Sequence, residues 1–563
     1  MSRPPTFGAW LDRGHVCFRV WAPDRREVSV VLEGPGPRSI SLTRQADGCF
    51  SFRGSLPGVG AGTRYRYLVD GEGPFPDPAS RFQPEGVHGP SEIIDPERYA
   101  WNDEGWRGVP LEELVIYELH VGTFTPEGTF EAARRRLGWI ADLGATAIEL
   151  MPVADFPGSR NWGYDGVSLF APARCYGRPD DLRKLVNESH RLGLAVLLDV
   201  VYNHLGPDGN YLARFSDHYF SARHRTPWGP ALNLDGPHSE TVRAFLIENA
   251  VRWLREDHID GLRLDATHHL HDESEPHFLA ELAAEVERTI GRPNVHLIAE
   301  DPRNLAHMVK PRGDRGWGLD AVWSDDFHHE LRRHLTGDDE GCFRDFKGSL
   351  ADLATTINRG WLYTGEYSIH RGYHRGTDPE GIPPSRFVFT IQNHDRIGNR
   401  AHGERLSRTV DPATYRAASA LLLTLPETPL IFMGQEWAAT SPFVFFTDHH
   451  EELGRLVKEG RRREFKDYAA FADPALLATI PDCQAESTFL SCKLHWDEPA
   501  RELHAGVLRL YRELLRLRRT EPALRNAAIG RCRATALDAE TLVVERLAEK
   551  GPMIAIVVHF RGA

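Results

Sequence analysis

From residue 115 to residue 434 the chain alternates, eight times over, between a short apolar run and a longer amphipathic segment. The runs are VIYELHV (115–121), TAIELMPV (146–153), LAVLLDVV (194–201), GLRLD (261–265), VHLIAE (295–300), DAVWSDD (320–326), FVFTIQNHD (387–395) and PLIFMG (429–434). Stretches so rich in Val, Ile, Leu and Phe read as parallel strands buried on both faces. The segments between them, such as FEAARRRLGWIADLG and SETVRAFLIENAVRWLRED, carry helical periodicity. Strand–helix alternation repeated eight times predicts an α/β fold, the (β/α)8 barrel. Such a barrel assembles its chemistry at the C-terminal ends of its strands. Carboxylates stand there: Asp265 closes the fourth run, Glu300 the fifth and Asp395 the seventh. Three acids converging at one mouth suggest glycosidic bond chemistry, which needs one carboxyl charged and another protonated.

The flanks have a different texture. The first hundred residues alternate with period two (VCFRVWAP, EVSVVLEG, RYRYLVDG) between turns rich in Gly and Pro. That pattern predicts an immunoglobulin-like antiparallel β-sandwich over residues 1–108. The catalytic barrel is expected over 109–500, and an irregular excursion at about 202–238 follows the third strand. Long loops at that end of a barrel usually build the site. Residues 501–563 offer an amphipathic helix (VLRLYRELLRLRRTEPAL) and two alternating strands (TLVVERLAEKGPMIAIVVHF), the makings of a short C-terminal β-domain.

Composition narrows the partners. The 563 residues exceed what one compact core accommodates. With 67 basic and 80 acidic residues the net charge is −13, and no basic run offers a stripe for phosphates, so no nucleic-acid partner is expected. Seven scattered Cys without a CxxC pair look like reduced thiols. The start, MSRPPTFGAW, lacks the apolar core of a signal peptide, and the longest apolar stretch is broken by Pro426, Glu427 and Pro429. A cytoplasmic protein with no membrane contact is the expectation.

Four segments then fall at strand ends: DVVYNH (199–204), GLRLDATH (261–268), LIAED (297–301) and NHDRIGN (393–399). In this order they resemble the α-amylase family of glycoside hydrolases. The resemblance covers nearly the whole chain, including the amino-terminal sandwich, which is similar to a starch-type carbohydrate-binding module. It implies a retaining mechanism. Asp265 would be the nucleophile, with Arg263 two residues earlier on the same strand face to hold its charge. Glu300 would be the acid/base, a role that needs a raised pKa. Asp395 would stabilise the oxocarbenium-like transition state. His204, His394 and His268 would bind substrate, the first two by donating to sugar hydroxyls, and Tyr164 would stack under the ring. Asp199 and Asn203 would brace the pocket.

Further stretches (YELHVGTFTPEGTF, MPVADFPGSRNWGYDG, YNHLGPDGNYL, TPWGPALNLDG, SDDFHH and EGRRREF) resemble one trehalose-releasing branch of that family. The resemblance implies cleavage of the α-1,4 bond next to the terminal trehalose of maltooligosyl trehalose. Selectivity for trehalose must come from the acceptor side. The density of donors and acceptors after the sixth strand assigns it to Asp325, Asp326, Phe327 and His328, with Arg396 and Asn399 contributing. Arg396 stands where relatives commonly carry Gln. The alternative is a glycogen branching or debranching enzyme of the same family. A glucan-binding scaffold would have no physical need for all three acids. No acidic cluster surrounds Asn203 as an oxygen cage for calcium would require, so no metal or other cofactor is expected. Activity abolished by a chelator and restored by calcium would overturn that.

Overall fold

The structure is a computed structural model and describes residues 6–34 and 38–560. Residues 1–5, half of the stretch read for a leader, lie outside the described residues. Eight short strands close into a barrel in chain order: β1 (Ile116–Leu119), β2 (Ala147–Leu150), β3 (Ala195–Val200), β4 (Gly261–Leu264), β5 (His296–Glu300), β6 (Ala321–Trp323), β7 (Phe387–Thr390) and β8 (Thr428–Phe432). Every pairing is parallel, including β1 with β8. All eight expected strands form.

Alternation along each strand divides the side chains. One set fills the barrel: Ile116, Ala147, Ala195, Leu197, Ile298, Ala321, Trp323, Val388 and Leu430 pack together there. The other set, including Tyr117, Ile148, Leu198 and Leu262, faces the surrounding helices. Two residues further along, the inward positions turn polar: Glu118, Glu149, Asp199, Arg263 and Glu300. The apolar plug therefore ends in a layer of ionisable groups just beneath the mouth.

Several expected strands run too long, and at two of them the difference bears on the site. β6 stops at Trp323; Ser324 stands at the head of the helix Asp325–Thr336, whose first turn holds Asp325 and Asp326. Acids are favoured at the positive end of a helix. β7 stops at Thr390, and Asp395 lies in the short helix His394–Gly398, capped by the Asn393 side chain onto the Arg396 N–H.

Two antiparallel sheets precede the barrel and face each other, with Phe18 of one against Tyr65 of the other at 5.1 Å. This sandwich grips the segment after β3. Trp21 meets Tyr219 edge-on at 5.0 Å, Tyr67 meets Phe215 at 5.9 Å, and Ser216 donates to Asp24 at 3.1 Å. The gripped segment carries a hairpin, Phe220–Thr226 with Gly229–Leu232, that reaches the barrel mouth. At the other end, the helix Glu502–Thr520 leads to a three-stranded sheet. Its first strand, Cys532–Ala536, lacked a clean alternating signal, so only the two later strands were legible. Asn358 fixes this sheet to the barrel by exchanging two hydrogen bonds with the Ala534 backbone, at 2.8 and 2.9 Å. Among the described residues no helix is long and apolar enough to cross a membrane.

Candidate active site

Arg263 is the hub of the mouth. Its side chain is fully buried, lies over the Trp323 ring at 4.5 Å, and touches three carboxylates. Its Nη1 donates to both Asp199 oxygens at 2.9 and 2.8 Å and to Asp265 Oδ1 at 2.7 Å; its Nη2 lies 3.6 Å from Glu300 Oε2. One guanidinium thus ties the end of β3 to those of β4 and β5. Asn203 donates to Asp265 Oδ2 at 2.8 Å, so both oxygens of Asp265 accept from the protein.

Glu300 is treated differently. Oε2 accepts the Ala266 N–H at 2.5 Å, and among the described residues no protein donor occupies Oε1. Ala266 reaches it by adopting left-handed backbone (φ 40°, ψ 52°), a strain of about 1–3 kcal/mol for a residue with a Cβ. Burial pushes the Glu300 carboxyl up to about 8; Asp265, Asp395 and Asp325 add to this and Arg263 opposes it. Burial also raises Asp199, to about 6, against the pull of Arg263. For Asp395 burial would raise the pKa, but His394, Arg396 and Arg263 outweigh it and hold the group low. The side chains of Asp265, Glu300 and Asp395 retain 11%, 15% and 33% of their exposure, while Asp199 and Arg263 beneath them retain almost none. Glu300 and Asp395 thus feel the same Arg263, and their environments push their pKa values in opposite directions.

The two histidines are more engaged than expected. His394 faces Glu118 with Nδ1 and Tyr164 Oη with Nε2, the latter at 2.7 Å. His204 faces Asn203 with Nδ1 and the Tyr164 carbonyl with Nε2 at 3.1 Å. Neither ring has a nitrogen free for a sugar hydroxyl. Tyr164 stacks on His394 at 5.3 Å and donates to Asp199 at 2.7 Å. His268 lies in the turn after β4 with a buried Nδ1 that has no partner among the described residues.

Beside Asp395 opens a cavity of about 370 Å³, lined in part by His328, Arg396, Asn399, Phe343 and Tyr468. Small-molecule sites span about 300–1,000 Å³. Arg396 pairs with Asp325, and Asn399 donates to Asp395 at 3.1 Å. His328 is buried with both ring nitrogens unpartnered among the described residues; burial lowers its pKa well below the ordinary value, so the ring is neutral. Asp326 and Phe327 are corrected by the structure, since both turn inward. Asp326 accepts from Asn304, from the Leu362 and Tyr363 N–H groups and from Arg375. Phe327 stacks on Phe389 at 4.5 Å in the core. On a helix, consecutive residues point about 100° apart, so four in a row cannot all face one cleft. Asp326→Ala strips a buried ion pair and should cost about 3–5 kcal/mol of stability. We expect a lower Tm by calorimetry and no change in preference between substrates.

Sequence reasoning missed several contributors. Arg461, on the helix Glu451–Glu464, donates to Asn399 at 3.2 Å and so reaches Asp395 through one residue. Trp228, at the hairpin tip, stacks on His204 at 4.9 Å and meets His269 edge-on. A signal for Glu118 is present in the sequence, an acid inside an apolar run, since a buried charge demands a partner.

A closed eight-stranded parallel barrel with carboxyls gathered on one arginine at its mouth has the architecture of the α-amylase class of glycosidases. The α-amylase catalytic domain model matches residues 94–229. A malto-oligosyltrehalose trehalohydrolase of Deinococcus radiodurans is 48% identical over 90% of this chain and 82% of its own length. One from Arthrobacter ramosus is 47% identical, over 90% and 87% respectively. The chain belongs to the malto-oligosyltrehalose trehalohydrolase family. A glycogen branching enzyme of Corynebacterium jeikeium is more distant, 29% identical over 77% of this chain. Among solved structures, a putative α-amylase from Salmonella typhimurium superposes with a TM-score of 0.91 at 38% identity, covering 99% of this chain and 94% of that one.

Proposed function

We propose that the protein hydrolyses the α-1,4-glucosidic bond adjacent to the terminal trehalose of maltooligosyl trehalose, with retention. The observation that carries this reading is the pair Asp265 and Glu300 on one arginine: the first accepts from charged and neutral donors, the second keeps its proton to about pH 8. Glu300 protonates the glycosidic oxygen from Oε1, and trehalose leaves. Asp265 attacks the anomeric carbon and holds the glucan as an ester. Glu300, now ionised, takes a proton from water, which frees the sugar. Retention predicts carboxyl groups about 5–5.5 Å apart. Asp395 carries negative charge against the oxocarbenium-like centre. The cavity beside it, with Arg396, Asn399 and the neutral His328, is the place for the departing trehalose.

The same reading places the enzyme in trehalose biosynthesis in the cytoplasm, acting without a metal. Purified protein supplied with maltotriosyl trehalose and, separately, maltopentaose tests it. Trehalose and maltotriose should appear from the first substrate much faster than any product from the second. Equal rates, or new branches on amylose, would refute it.

A further inference from the structure

Glu118 takes no part in the chemistry described so far, yet it is as buried as any group in the barrel. Its side chain and that of His394 are each 1% exposed. Glu118 Oε1 faces His394 Nδ1, and Oε2 accepts the backbone N–H of the same histidine at 3.2 Å. The far nitrogen, Nε2, lies 2.7 Å from Tyr164 Oη and 3.6 Å from Asp395 Oδ1. Tyr164 Oη is also 2.7 Å from Asp199 Oδ2, an oxygen that Arg263 grips at 2.8 Å.

Proton counting along this chain leaves one solution. A phenol carries a single proton. Above about pH 6 the Asp199 carboxylate beside Arg263 is ionised and only accepts, so Tyr164 spends its proton there and must accept from His394. Nε2 of His394 therefore carries a hydrogen. Nδ1 faces a carboxylate and carries one too. We infer that Glu118 is a positioning residue: it holds His394 as a doubly protonated cation that orients Tyr164, Asp199 and Asp395 around the reacting sugar.

The surroundings agree. Facing the ring are Glu118 from β1, His120 just after it, Glu149 from β2, Tyr164 from the following loop, Asp199 from β3, Arg263 from β4 and Asp395 from its own helix. Burial alone would lower the imidazole, but Asp395 and Glu118 lift it to about 9 against Arg263. Burial drops His120 to about 4, so that ring is neutral near pH 7, and burial pushes the Glu149 carboxyl well above its ordinary value. The cation is thus matched by Glu118 below and Asp395 beside it.

The inference rests on the function proposed above, and the test separates the two. The pH–rate profile of trehalose release is measured for the wild type, Glu118→Gln and Glu118→Asp. Gln keeps the shape and removes the charge. Because charge-assisted hydrogen bonds are about twice as strong as neutral ones, kcat should fall on the order of tenfold with KM little changed. The alkaline limb should move down by about one pH unit, since His394 now deprotonates before Glu300. Glu118→Asp keeps the charge and should keep the limb. A limb unmoved in Glu118→Gln, or moved equally in both variants, overturns the inference. Should either variant fold poorly, ¹⁵N-histidine spectra of the wild type at about pH 7 decide independently of turnover. Both His394 nitrogens should be protonated; a neutral ring would sink the idea. A cationic ring in a protein that releases no trehalose would instead count against the proposed function alone.

Discussion

Asp265→Asn should leave less than about 10⁻⁴ of wild-type kcat, because removing a covalent nucleophile costs on the order of 10⁴–10⁶ in rate. The fold should survive. Asn retains an oxygen for Arg263, Asn203 still donates to the backbone carbonyl of residue 265 at 3.0 Å, and Arg263 keeps Asp199 at 2.8 Å. The change has a second, independent signature. The charge of Asp265 is one of the groups that raise Glu300. Its loss lowers the Glu300 pKa, so the alkaline limb of the residual activity should shift to lower pH. Asp265→Ala leaves room for an external anion, and azide should restore turnover. The product expected is the β-glycosyl azide, since only one displacement then occurs at the anomeric carbon. Product analysis by NMR checks the configuration. Near-native turnover in either variant, or an α-azide, would remove Asp265 from the reacting centre.

The barrel and its acids were legible because their causes are local to the sequence. A run buried on both faces must be apolar, and an acid ending it must have a reason to be there. Arg263 was legible for the same reason, through the period of two that sets it on the face of Asp265. What failed at the site was the extent of two strands. The run 320–326 reads as strand throughout, although Ser324-Asp325-Asp326 is equally a helix start, and the helix prevails. That one boundary decided the fate of Asp326 and Phe327, since helix and strand send neighbouring side chains in different directions. His204 and His394 show a deeper limit. Their place at the mouth follows from their segments, but apart from Asn203 beside His204 the partners that occupy their nitrogens come from β1 and from the loop after β2. Contacts across 276 or 40 positions are set by barrel closure, which no local pattern records. Arg461 was invisible for the same reason: it lies on a helix that packs over the mouth, 62 residues from Asn399.

Glu300→Gln should slow release of trehalose about 10²–10⁴-fold, the usual worth of general acid catalysis. A sugar hydroxyl leaves poorly without a proton, and the amide has none to give. Fluoride leaves without that help, so the first step with an α-glucosyl fluoride should be nearly unaffected and the glycosyl ester should accumulate. A loss equal for both substrates would show that Glu300 does something other than protonate. In the wild type the active form is the protonated acid, so kcat/KM should hold below about pH 8 and decline above it. Stability carries the same sign. The folded pKa, about 8, exceeds the ordinary value of 4.5, so between these the folded state holds a proton that the unfolded chain has released. The stabilisation from that proton is complete below about pH 4.5 and is lost as pH climbs through about 8. Glu300→Gln has nothing to lose over that window. Its Tm should therefore fall less steeply than the wild type's between pH 5 and pH 9, and parallel curves would mean that Glu300 titrates as an ordinary exposed acid.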